Sequence, residues 1–260
     1  MSEHQRSLPR FAGDGVLIAG GARAILLQLA YPPVGRGVVD HSDFAGRPLD
    51  RLWATLAYAY AIVYGTEADR VRAVRLVNRA HSPVRGEARG TAPAYSAFDP
   101  QLQLWVAATL YDTAVVVHEE LFGTLDPAEA DALYDAYAEL GIRLQLPRGQ
   151  WPADRAAFAE YWAQMLPRLS VDADVHAVSR QLMFARSLPA PLGLAMPLAR
   201  LVTAGLLPDA VRSAYGIRWT ARAERRFRRT LAITGLLWPW LPVSLRQWPQ
   251  RRSLAIIRRG

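Results

Sequence analysis

The sequence predicts an all-α, single-domain fold. Three observations predict it. Nearly every apolar run repeats at the three- and four-residue spacing of a helix face, and no stretch keeps the two-residue alternation of a half-buried strand. Helix start and stop signals recur between those runs. With 260 residues, 51% of them hydrophobic, and a mean hydropathy of +0.01, the chain can bury one substantial core. The segments divide into a flexible N-terminus (1–12), a main helical domain (13–219) and a basic helix and tail (220–260) packed on it or peripheral to it.

Asp14 is placed to cap a helix through GVLIAGGARAILLQLA, which Pro32 and Pro33 end. A glycine-bearing loop containing DHSDF follows. PLDRLWATLAYAYAIVYG then forms a helix that stops at Gly65. Thr66–Asp69, TEAD, resembles a capping box with Asp for the usual Glu, and opens the helix that carries His81. Pro83 pushes Ser82 away from helical angles, so that helix ends just after His81. A loop with Gly86, Gly90 and Pro93 leads to Asp99–Pro100, a cap followed by proline at the first helical position. The same dipeptide at Asp126–Pro127 starts another helix. Further helices are expected at Asp154–Leu166, at Asp172–Ala185 and around Thr220–Thr234, with a proline-interrupted apolar region before the last.

Charge is distributed unevenly. All 31 basic residues are arginine and none is lysine; with 23 acids the net charge is +8. Residues 201–260 hold 12 Arg against Asp209 and Glu224, while the other 200 residues hold 19 Arg against 21 acids. The basic excess therefore lies in the tail, which suits a phosphate-bearing surface. Its arginines match no nucleic-acid reading motif, so an anionic membrane surface is the expected partner rather than nucleic acid. No run is long and apolar enough for a transmembrane helix, and the first residues lack a signal-peptide pattern. A cytoplasmic protein, peripheral to the inner face of the membrane, is expected. Absence of cysteine excludes disulfides, thiolate zinc sites and iron–sulfur clusters, and absence of lysine excludes a Schiff base.

Few motifs carry chemistry. The glycines of GDGVLIAGGAR lack the spacing of a dinucleotide loop and read as small packing residues. HEE at His118–Glu120 lacks the second histidine of a zincin helix and reads as a polar helix face. His81 is one of only five histidines; it is open to three readings, as a surface residue, a hydrogen-bonded core imidazole or a ligand. So few histidines do not make an all-protein metal cage, and a single imidazole suffices only where a cofactor supplies the other ligands. Arg51 and Thr55 stand at i and i+4 on one helix face, consistent with a snorkelling arginine and a back-bonded threonine, or with a polar pair beside a cofactor carboxylate.

The order of these elements resembles a known family. RAILLQLAYPPVGRGVVDHSDF (Arg23–Phe44), DRLWATLAYAYAIVYG (Asp50–Gly65), HSPVRG (His81–Gly86) and AYSAFDPQLQLWVAATLYD (Ala94–Asp112) are similar, in sequence and spacing, to successive elements of the rubber oxygenase (latex clearing protein) and MpaB-type oxygenases. LLPDAVRSAYGIRWT resembles a weaker C-terminal element, so the resemblance spans most of the chain. It implies a helical bundle with a haem pocket between helices, haem b as cofactor, and dioxygen activation on a hydrophobic, isoprenoid-like small molecule. By position, His81 is the implied iron ligand, and Arg51 and Thr55 the implied polar constellation beside the haem; His41–Ser42 is structural support. The rubber oxygenases carry a lysine just before the threonine, where this chain has Ala54, and the bacterial branch commonly carries histidines where it has Tyr31 and Ala107. An open sixth position on the iron is the consequence. The alternative is a non-catalytic haem- or lipid-binding helical protein at the membrane surface.

Overall fold

In a computed structural model, which describes residues 13–41, 48–90, 93–184 and 190–259, the chain is helical almost throughout. A 3-10 helix, Gly15–Gly20, is followed by α1 (Gly21–Ala30), α2 (Pro32–His41), α3 (Pro48–Tyr64) and α4 (Glu67–His81). After a ribbon of two short antiparallel strands, β1 (Arg85–Gly86) and β2 (Tyr95–Ser96), come α5 (Pro100–Phe122), α6 (Pro127–Ile142), α7 (Arg155–Met165) and α8 (Ala173–Met183). The chain closes with α9 (Ala190–Leu206), α10 (Asp209–Ala214), α11 (Ala221–Leu237), α12 (Val243–Arg246) and α13 (Trp248–Arg259).

Helix α5 is the axis of the bundle. At 23 residues it is the longest, and it buries residues on every face, so α1, α6, α11 and the 3-10 helix all pack around it. Trp105 at its centre is fully buried; its indole donates to the Leu27 carbonyl (3.2 Å) and its ring stacks on Trp162. The expected caps of α5, α6, α7 and α8 form as read: Asp99, Asp126, Asp154 and Asp172 each accept a backbone N–H of the first turn. At α4, Thr66 and Asp69 exchange both hydrogen bonds of the capping box.

Four local expectations are corrected. Asp14 precedes a 3-10 helix and does not cap it. Its buried Oδ2 instead accepts from Trp238 Nε1 (3.1 Å) and Arg246 Nη1 (2.8 Å), tying the chain's beginning to its end. Pro32 and Pro33 do end α1, but Gly35 to His41, read as part of a loop, is helix α2, bent by 104° from the preceding segment. Proline is at home in a first helical turn, where its missing N–H costs nothing. Ser82 keeps helical angles (φ −55°, ψ −37°) although Pro83 follows, and the helix still ends at His81. The two-stranded ribbon was not legible from alternation because each strand has only two residues. Residues 1–12 and Ser42 lie outside the described residues.

The tail folds back onto the site region. Helix α13 packs along α3, with Trp248 edge-on to Trp53 and Arg252 over both rings. Arg258 donates to both carboxylate oxygens of Asp69, Nη2 reaching Oδ2 at 2.9 Å. One carboxylate thus caps α4 and anchors the last helix.

The Arg258 bonds, joined by those from Thr66, hold the Asp69 carboxyl down at about 2, although its burial opposes them. A carboxyl whose folded pKa lies below its unfolded value stabilises the fold above the unfolded value and loses that contribution as pH falls through the folded one. Between about pH 4 and pH 2 the α13–α4 contact should therefore weaken. Circular dichroism with tryptophan fluorescence, titrated in acid, should show an early change around Trp248 and Trp53. Asp69→Asn should remove that early phase; an unchanged acid profile in the variant would contradict the anchor.

Candidate functional site: an open cleft between α3 and α4

Helices α3 and α4 run antiparallel from the tight connection at Gly65–Thr66, where a side chain on Gly65 would meet the Ala61 carbonyl at 2.4 Å. Arg51 precedes the end of α3 by 13 residues, and His81 follows the start of α4 by 14. At ~1.5 Å rise per residue both sit about 20 Å from the turn, at one level of the hairpin. Arginine and histidine are in fact close enough for the Arg51 charge to disfavour protonation of His81. Thr55, one turn along α3, completes the trio.

Arg51 and His81 lie outside both cavities beside α3, and Thr55 lines the smaller of them. Arg51 and Thr55 are exposed to solvent, yet enough protein surrounds the Arg51 guanidinium for burial to lower its pKa. His81 is half-buried, with Phe98 edge-on at 6.4 Å between ring centres. Burial first, and the Arg51 charge second, pull the His81 pKa below its ordinary value. The imidazole is therefore neutral at physiological pH, with a free lone pair. Its Nδ1 is shielded from solvent and finds no hydrogen-bond partner among the described residues. A buried imidazole nitrogen is normally satisfied. A neutral imidazole with a guanidinium charge nearby is a donor set that suits an iron porphyrin with carboxylate arms. The residues fit such a group.

Of the other histidines, His118 also has a buried Nδ1 without a hydrogen bond among the described residues and a pKa lowered by burial, but no arginine charge contributes there. His41 Nε2 lies 3.0 Å from the Tyr95 hydroxyl and 3.2 Å from the Arg85 carbonyl, and Tyr95 donates to Asp40 (2.7 Å). It braces α2 against the ribbon. His118, near the end of α5, packs on Phe122, and Glu120 beside it pairs with Arg228 of α11 at 2.5 Å. The HEE face is thus partly an interhelical contact rather than wholly solvated. Among the described residues no three His, Asp or Glu side chains gather to hold a metal ion. A metal held at His81 must bring further ligands of its own.

Two cavities adjoin α3. The larger, about 590 Å3, lies between α3, α4 and α6, but neither Arg51 nor His81 lines it. Its Arg143 and Arg148 are spent on Glu67 and Glu139. The smaller, about 110 Å3, runs along the inner face of α3 between α1, α5 and α6, with mostly apolar walls. Thr55 belongs both to its wall and to the exposed surface, one turn of α3 from Arg51.

Tyr60, Tyr64 and Tyr137 also line that cavity, and the sequence did not single them out. Tyr60 and Tyr64 are separated by one turn of α3, a visible signal; Tyr137 comes from α6 and is joined to them only by the fold.

Comparison with known proteins identifies the family and the fold. Residues 9–236 match the model of the catalytic domain described as ER-bound oxygenase mpaB/B′ and rubber oxygenase. Uncharacterised proteins of Mycobacterium tuberculosis and Mycobacterium bovis are each 40% identical over 220 residues, covering 83% of this chain and 86% of theirs. The solved structure of a latex clearing protein in its closed state shares the fold, with a TM-score of 0.58 and 20% identity over 97% of this chain and 72% of that one. The chain belongs to the family of mpaB-type and rubber oxygenase catalytic domains.

Proposed function

We propose that this oxygenase-family protein is a haem b-dependent oxygenase acting on a hydrophobic small molecule, with His81 as the protein ligand to iron. The observation that carries the reading is the neutral His81 ring at the level of Arg51 on the neighbouring helix. When bound, haem b would supply the redox-active iron at which dioxygen is activated.

The chain's own residues have definable tasks. His81 keeps its imidazole neutral, because burial and the Arg51 charge both oppose protonation. Arg51 offers a permanent charge and a planar fork of donors to a carboxylate arm. Thr55 presents a hydroxyl, both donor and acceptor, at the cavity opening. Leu52 and Leu56 flank it in the cavity wall and keep that wall apolar. Ala54, short and exposed, leaves the space beside Thr55 open.

The haem-loaded protein should contain one haem per chain. His81→Ala should abolish the Soret band or its retention through gel filtration, with the helical circular dichroism intact. Arg51→Ala should weaken haem binding by about ten- to a hundredfold, the worth of a charge-assisted hydrogen bond. Folded wild-type protein that takes up no haem would end the proposal.

Because the chain has no lysine and Ala54 cannot coordinate, the ferric protein should be predominantly high-spin by electron paramagnetic resonance. Added imidazole should convert it to low-spin. A low-spin signal without added ligand would mean a second protein ligand and a closed site.

The reading extends to an anionic membrane surface on the cytoplasmic side. On α11, Arg222, Arg225, Arg226 and Arg229 share one exposed stripe with Ile233, Leu236 and Leu237, opposite the buried Phe227 and Leu231. Trp240, 83% exposed, follows, and Leu194 of α9 is 84% exposed. Arg228 is engaged with Glu120 and Glu224 and is not part of the stripe. No single described helix is long and apolar enough to cross a membrane. Co-sedimentation with phosphatidylserine vesicles should exceed that with phosphatidylcholine vesicles and fall with salt. Equal binding to both would reject the electrostatic contact.

A further inference from the structure

The small cavity behind Thr55 combines mostly apolar walls with three tyrosines. Its walls come mostly from apolar side chains of the 3-10 helix, α1, α3, α5 and α6. Its polar lining consists of the phenols of Tyr60, Tyr64 and Tyr137 together with Gln28, Thr55 and Thr113. Tyr60 and Tyr64 lie 6.2 Å apart between ring centres. Tyr60 is only 5% exposed. None of the three hydroxyls makes a hydrogen bond among the described residues, whereas the neighbouring Tyr58 hydroxyl, on the same helix, donates to the Leu140 carbonyl at 2.5 Å. A buried phenol usually finds such a partner. Tyr64 and Tyr137 are only half-buried, and the three hydroxyls, lining one cavity without a partner among the described residues, are available as donors and acceptors to water or a ligand.

The chemistry narrows what that is. Burial pushes all three phenol pKa values well up, and the Asp14 charge adds to this at Tyr60 and Tyr64. The hydroxyls are thus neutral and can each donate and accept. No charged residue lines the cavity, so a carboxylate or phosphate head would be buried without a counter-charge, which is costly. An uncharged oxygen is suited. Size narrows it further: the volume of about 110 Å3 is somewhat less than the roughly 150 Å3 of an apolar cavity known to take benzene. Thr55 and Tyr64 are nine residues apart on α3, or about 13 Å of helix, so a ligand seated at the phenols points its other end toward the cleft.

We propose that the cavity is a binding site for the oxygen-bearing end of an uncharged aliphatic molecule, an alcohol or carbonyl compound, held by Tyr60, Tyr64 and Tyr137 with its apolar body directed toward Thr55. As a binding site it stands independently of haem; as the substrate pocket it rests on the oxygenase reading.

Calorimetric titration of the purified protein with 3-methylbutan-1-ol, benzene and pentanoate tests it. The alcohol should bind one-to-one and more tightly than benzene, and pentanoate should not bind. Tyr60→Phe and Tyr137→Phe, which each remove one oxygen, should weaken the alcohol by about two- to tenfold and leave benzene unchanged. Ala136→Leu, which fills the cavity, should abolish binding of both. Benzene binding as tightly as the alcohol, or Phe variants without effect, would reduce the site to an apolar void. Tightest binding of pentanoate would overturn the exclusion of anions, and no binding of any probe would mean that the phenols serve water only. His81→Ala should bind the alcohol as wild type does. Retained alcohol binding without haem uptake would overturn only the oxygenase reading, and retained haem without alcohol binding would overturn only this pocket.

Discussion

The carboxylate of Asp69 is the constraint on which the site's geometry depends. It sits in the first turn of α4, where it closes the capping box with Thr66 and so fixes where the helix begins. The start of α4 sets the level that His81 reaches 14 residues later, opposite Arg51 on α3. The same carboxylate receives Arg258, holding α13 against α3 and α4. Shifting the start of α4 by one residue would rotate His81 by ~100° about the helix axis, away from Arg51. A polar contact remote from the cleft thereby determines which side chains face each other inside it.

Much of the fold was legible because its signals are local. Aspartates before proline or before an apolar run gave helix starts at α5, α6, α7 and α8 that agree with the structure to within a residue or two. The TEAD box did the same at α4. Local signals misled where a distant partner won. Asp14 has the residue type and position of a cap, but Trp238 and Arg246, more than 220 residues away in sequence, claim its carboxylate. The stretch from Gly35 to His41 looked like a loop because its glycines are poor helix formers. Yet Gly35 lies so close to the Leu29 carbonyl that a Cβ would meet it at 2.3 Å, so close packing across the bend requires glycine there.

The candidate site divides in the same way. Arg51, Thr55 and His81 could be singled out because each falls inside a family motif, and the structure brings Arg51 and His81 to one level of the α3–α4 hairpin. The tyrosine end of the cavity could not be found so. Tyr60 and Tyr64 belong to an aromatic run that reads as core, and only tertiary packing brings Tyr137 to line the same cavity. Apolar walls, three neutral phenols at one end and Thr55 at the other describe a compartment that can orient an uncharged molecule toward the cleft.

The central claim is that His81 is the protein's axial ligand to haem iron. Resonance Raman spectroscopy of the ferrous haem-loaded protein tests it most directly through the iron–histidine stretching band. The band should be present in the wild type, absent in His81→Gly, and restored in that variant by free imidazole filling the space left by the ring. A His81→Gly protein that keeps the band without added imidazole would place the ligand elsewhere and contradict the account.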